Sequence, residues 1–214
     1  MTMKAKAPPF PEDAVLTFAD YFKLDAPIDD VLREFDVTFQ LKSCDLPRRA
    51  VDQSIVDDLK QRFQRTLPQV DLSSEMARRE FLIAPVVTEA AALSKSRVRV
   101  EFPIKVDDRL QGKVDYFVLA QNQVPSQHRV LIVEAKNGDL ERAFKQLAVE
   151  LIALDRWLDD SDDNLLYGAV SIGNVWQFGI LDRSAKAFTQ DINTYSVPTD
   201  VQDVIGFLYA ILTT

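Results

Sequence analysis

Two short apolar runs mark the middle of the chain: Val114, Tyr116, Phe117 and Val118 in the first, and Val130-Leu131-Ile132-Val133 in the second. Their length and their β-branched and aromatic content predict buried strands. The residues between them, 121–127, include Asn, Pro and Ser, which predicts a hairpin loop laying the second strand antiparallel against the first. Beyond the second run the period lengthens to that of a helix. Asp139 is placed as an N-cap, and Leu140, Phe144, Leu147 and Leu151 recur at i, i+4, i+7 and i+11 as a stripe to be buried. Arg142, Gln146 and Glu150 form an adjacent line on the same helix. Farther along, 166–172 and 175–181 read as strands joined by the two-residue turn signal Gly173-Asn174, and 199–212 as a closing apolar helix. Upstream, 74–86 reads as a helix capped by Ser74, while 10–65 alternates helix-like stretches, including 29–35 and 52–63, with loops. Phe18, Tyr21 and Phe22 predict that this part packs onto the core. The pattern predicts an α/β protein of α+β character, with a mixed sheet flanked by helices over 74–214 and a mainly helical N-terminal extension over 1–73.

Two carboxylates break the apolar runs. Asp115 interrupts the first and Glu134 ends the second, although a carboxylate in a core is costly unless something compensates it. Side-chain alternation puts Glu134 and Lys136 on one face, and the hairpin brings Asp115 toward Glu134. Two converging carboxylates make a hard, oxygen-rich site suited to Mg²⁺ or Mn²⁺, which are held by one or two carboxylates with water and substrate phosphate. A single cysteine, Cys44, and a single histidine, His128, exclude a Cys/His metal cluster, and His128 reads as a solvated loop residue. The plain alternative for Glu134 and Lys136 is an ion pair on an exposed sheet that needs no metal. Asp115, a second acid in an apolar segment, counts against it.

Asp115, then Glu134-Ala135-Lys136, then a helix carrying Gln146, resembles the signature of the PD-(D/E)XK nuclease superfamily, the fold of restriction endonucleases. The resemblance covers about residues 74–180, and Val114 stands where the family name has proline. It implies a restriction-endonuclease-like core and a Mg²⁺- or Mn²⁺-dependent nuclease, with DNA cleavage and an endonuclease favoured. Asp115 and Glu134 would bind the metal, Lys136 would orient the attacking water and offset charge on the phosphate, and Gln146 would support the site. Within the superfamily a preceding helix donates a further Glu, which favours Glu75, with Glu80 and Glu89 as competitors. The bland reading of Glu75 is that it complements the helix dipole. Many relatives carry tyrosine four residues after the Gln; here Glu150 occupies that place and inherits no role. Asp58-Leu59-Lys60 also fits D-x-K, but it lies in a polar, helix-like stretch with no preceding strand or partner Asp.

Charge changes the picture more than composition does. The chain is 47% hydrophobic, enough for a sizeable core, yet carries a net charge of −8, the wrong sign for gripping nucleic acid through a basic surface. The charge is uneven: 10 basic and 13 acidic side chains over 1–73 give −3, 12 and 11 over 74–150 give +1, and 3 and 9 over 151–214 give −6. Lys95, Arg97, Arg99, Lys105, Arg109 and Lys113 supply a modest basic strip, while Asp159-Asp160-Ser161-Asp162-Asp163 reads as a solvated turn. No apolar run reaches membrane-spanning length and the chain starts without the apolar core of a signal peptide, so a cytoplasmic protein with no membrane partner is expected. A homodimer or a protein partner stays open. The competing class is a catalytically inactive nuclease-fold module that serves in binding or assembly.

Overall fold

The computed structural model describes residues 8–120, 130–135, 138–158 and 163–213. In chain order the elements are α1 (Phe18–Lys23), α2 (Ile28–Arg33), β1 (Thr38–Lys42), α3 (Gln53–Thr66), α4 (Glu75–Arg78), a π-helical segment (Arg79–Ile83), α5 (Ala84–Ser94), β2 (Arg97–Lys105), β3 (Gln111–Leu119), β4 (Val130–Ala135), α6 (Leu140–Trp157), β5 (Leu165–Ser171), β6 (Val175–Asp182), β7 (Ala187–Asp191), β8 (Tyr195–Ser196) and α7 (Val201–Ile211). The strands form one mixed sheet of order β1-β7-β6-β5-β4-β3-β2, with β8 paired to β6. The predicted mixed α/β class with helices flanking the sheet is what forms.

The sheet separates two apolar cores. Phe117, Leu166, Val170, Leu181 and Phe188 face α1, α2 and α6, whereas Tyr116, Val118, Val133, Ala169, Trp176 and Phe178 face α3, α5 and α7. The predicted hairpin pairs β3 with β4 antiparallel, Tyr116 opposite Val133, although its loop lies outside the described residues. A crossover through α6 then returns the chain to β5, which runs parallel to β4. Gly173 makes the β5–β6 turn at φ +98, with Ile172 N–H donating to the Val175 carbonyl at 3.2 Å. Its missing Cβ is also what lets the turn close on Leu82 and Arg78.

Three features differ from the sequence pattern. The first is α6: the stripe of Phe144, Leu147 and Leu151 is buried as predicted, but so is every residue from Ala143 to Leu154. The cause is the N-terminal segment, whose Phe18, Tyr21, Val31, Leu32 and Phe35 roof the helix on the side away from the sheet. The second is that this segment also contributes β1, which lies parallel to β7 at the sheet edge. A five-residue strand in which four residues are exposed leaves little apolar signature. The third is the helix at 74–86, which starts at the Ser74 cap as read, widens into the π segment and continues to Ser94. Pro85 sits in the first turn of α5 and has no N–H to donate; the wider turn before it accommodates the ring and the lost hydrogen bond.

Candidate functional site

Glu134 is the fifth residue of β4, and its backbone lies opposite Val170 of β5. Its side chain is on the α6 side of the sheet and is 1% exposed. Gln146, in the second turn of α6, donates from Nε2 to Glu134 Oε1 at 2.6 Å and to Glu150 Oε1 at 2.8 Å. Asp139 fixes the start of that helix by accepting from Arg142 N–H at 3.1 Å, as the cap signal predicts. Strand end, cap and helix register therefore combine to place an amide between two buried carboxylates.

Asp115 sits one step beyond the last β3–β4 pair, in line with Glu134 across the ladder. The strand turns over at this residue. Val114 belongs to the core under α6 and Tyr116 to the opposite core, although alternation alone would place both on one face. Across the other ladder, pairing skips from Val100–Tyr116 to Phe102–Val114, and the omitted Glu101 has φ +51, a left-handed conformation that costs a non-glycine residue about 1–2 kcal/mol. This local break frees Asp115 from either core and turns it toward Arg79.

Arg79 is the first residue of the π segment and is nine-tenths buried. Its Nη1 lies 3.2 Å from Asp115 Oδ1 and 3.9 Å from Glu101 Oε1, and its guanidinium stands 5.5 Å from the Tyr116 ring centre. Tyr116 O–H donates to the Arg79 carbonyl at 3.3 Å. Burial alone would lower the Arg79 pKa; Asp115, Tyr116 and Glu101 together outweigh it and hold the guanidinium above its ordinary value. Lys113 adds a second, exposed cation at 3.4 Å from Glu101.

The other sequence candidates are placed as follows. Glu75 opens α4, where Ser74 caps by accepting from Ala77 N–H at 3.1 Å; Glu75 is half-buried, Glu80 is exposed, and Glu89 lines a shallow groove with Ile55 and Arg62 of α3. Lys136 and His128 lie outside the described residues, as does most of the acidic turn. Asp58-Leu59-Lys60 lies within α3, with Leu59 buried, as a surface helix requires. Of the basic strip, Lys95, Arg97, Arg99, Lys105 and Lys113 are exposed on or beside the edge strand β2 and its neighbour. The Cys44 thiol is pushed up to about 11 by burial and by Asp191, which leaves it a poor nucleophile.

The sequence pattern leaves Arg79 and Glu101 unmarked, and it shows Glu150 without a role. The i, i+4 spacing of Gln146 and Glu150 was a signal for the last; nothing local marks Arg79 as the partner of an aspartate 36 residues away.

The donors present fit a hard cation. Asp115 and Glu134 are carboxylates, and Gln146 Oε1, buried without a hydrogen-bond partner among the described residues, is an acceptor suited to a metal-bound water. No group of three or more His, Cys, Asp or Glu side chains gathers as metal ligands among the described residues, so Glu75 does not join these two in such a cluster. No protein-family model matches the chain, and no curated protein and no solved structure matches it either.

Proposed function

We propose that the chain is a divalent-metal-dependent nuclease that hydrolyses DNA phosphodiesters at the Asp115/Glu134 site. The observation that carries this reading is the buried Glu134 at a strand end, held by Gln146 of the following helix and aligned across the ladder with Asp115. A carboxylate kept this far from water by its own fold is a functional candidate.

Asp115 and Glu134 would hold Mg²⁺ or Mn²⁺. When bound, the ion supplies an activated water and charge neutralisation at the phosphate. Gln146 holds Glu134 in one orientation through the 2.6 Å hydrogen bond, so the ligand is preorganised. The Arg79 charge, secured by Asp115 and Glu101, offsets the local excess of acid. Lys136 takes the role of positioning the water and countering charge that develops on the phosphate, as the sequence resemblance implies. Arg97, Arg99 and Lys105, exposed on edge strand β2, offer the DNA backbone a positive approach that the net charge of −8 withholds elsewhere.

A second reading, an inactive nuclease-like module with a protein partner, is favoured by one observation: Asp115 already carries a buried cationic partner in Arg79. The test is cleavage of linear, circular, single-stranded and branched DNA in Mg²⁺ or Mn²⁺ by the wild type and by Lys136→Ala purified in parallel. Cleavage by the wild type alone is expected; equal cleavage by both, or by neither, rejects the assignment.

A further inference from the structure

A glutamine amide has two N–H donors at one end and one oxygen at the other, and the two ends differ little in shape. In α6 the chemistry of the neighbours chooses between them. Gln146 Nε2 lies 2.6 Å from Glu134 Oε1 and 2.8 Å from Glu150 Oε1, so both hydrogens point at carboxylate oxygens. The reverse orientation would set the amide oxygen against two acceptors. With Glu150 in place, only one arrangement of the amide satisfies both neighbours.

Glu150 is fully buried, and its surroundings on the helix are apolar: Leu147, Val149, Leu151, Ile152, Ala153 and Leu154 are all buried with it. Removing one partner of a buried hydrogen bond leaves the other unsatisfied at the cost of its desolvation, so an apolar residue here would leave unpaired a Gln146 N–H that now donates to Glu150. The carboxylate oxygen at this position is what accepts the second N–H of Gln146 and so fixes which way the amide faces.

We infer that Glu150 is a positioning residue for the candidate metal site: it holds one N–H of Gln146 so that the other is presented to Glu134 Oε1, and it thereby turns Gln146 Oε1 away from both carboxylates. The inference rests on the reading of Asp115 and Glu134 as metal ligands. It requires that Glu150 act through Gln146, by accepting a hydrogen bond, and not through its charge.

The test is Mn²⁺ binding to the full chain, measured by calorimetry for the wild type, Glu150→Gln, Glu150→Leu, Gln146→Leu and the double Gln146→Leu/Glu150→Leu variant, each first checked for folding by urea unfolding. Glu150→Gln retains an acceptor oxygen and is expected to stay within about threefold of wild-type affinity, while Glu150→Leu is expected to lose about 10- to 100-fold. In the Gln146→Leu background, Glu150→Leu should cost nothing further, since the residue through which it acts is gone. Should Glu150→Leu not fold, the comparison of Glu150→Gln with wild type and Gln146→Leu decides the matter. Wild-type affinity in Glu150→Leu, an equal loss in Glu150→Gln, or an additive loss in the double variant overturns the inference. A wild type that binds no Mn²⁺ overturns instead the metal-site reading beneath it.

Discussion

Arg79 and Asp115 form an ion pair whose side chains are 10% and 16% exposed, which puts it in the class where removing one partner costs far more than the pair contributes. Arg79→Met keeps the length and apolar contact with Tyr116 but leaves Asp115 facing Glu101 across the broken β2–β3 ladder without that cation. It should destabilise the protein by about 3 kcal/mol in urea unfolding; a loss under about 1 kcal/mol would show that the pair is solvated and that Asp115 is not committed to Arg79. At this scale the sequence was informative where polarity contradicted its surroundings. Asp115 and Glu134 were legible because each breaks an apolar run, and Gln146 because it borders the stripe of a strongly periodic helix. Glu150 was in view but unexplained, since spacing reveals that two side chains meet and not which hydrogen goes where. The Arg79 contact is a product of tertiary geometry alone.

Elements place these residues, and α6 does most of it. Its cap and its stripe were readable, while its complete burial was not, because the covering comes from residues more than a hundred positions earlier. Lys145 shows the consequence: on an amphipathic helix it would point to water, but here it is buried and donates to the carbonyls of Leu24 and Ala26 in the α1–α2 connection. Burial, followed by the nearby Arg142, lowers its pKa from 10.5. The folded state therefore binds this proton less tightly than the unfolded state does, so this group makes stability rise with pH in the window just below 10.5. Lys145→Met abolishes that rise and leaves two carbonyls to water in the open groove between α6 and the connection, for a net loss of about 1–2 kcal/mol. Hydrogen exchange should quicken in 18–33 and not in the sheet; unchanged protection there would mean that Lys145 does not tie the N-terminal segment down. The π segment carries the same lesson. Ser74 and Pro85 marked a helix and its disturbance, but the form of the disturbance, and so the direction of Arg79, depends on packing against β3.

Across the whole molecule, 74–214 and 1–73 do not divide the cores between them. β1 joins the sheet, α1 and α2 cover α6, and α3 packs in the opposite core with α5 and α7. Gly112, at φ +148 with no room for a Cβ beside Phe18, is where α1 docks on β3. The mixed sheet and its hairpin were legible from the runs at 114–118 and 130–133; β1, β7 and β8 were not, being short strands stitched in by long-range pairing. Among the described residues no helix is long and apolar enough to cross a membrane. The acidic balance of the chain is concentrated in the flanking segments, and the basic side chains of β2 lie on the sheet edge nearest β3, which carries Asp115. Charge and topology thus converge on one end of the sheet. The most direct test is thermal unfolding of the wild type and Asp115→Asn across a Mn²⁺ titration. Binding to the folded state alone should stabilise the wild type by about 2.7 kcal/mol at a hundred times its Kd, with no gain in Asp115→Asn; a wild type indifferent to Mn²⁺, or the same gain in both, would contradict the account.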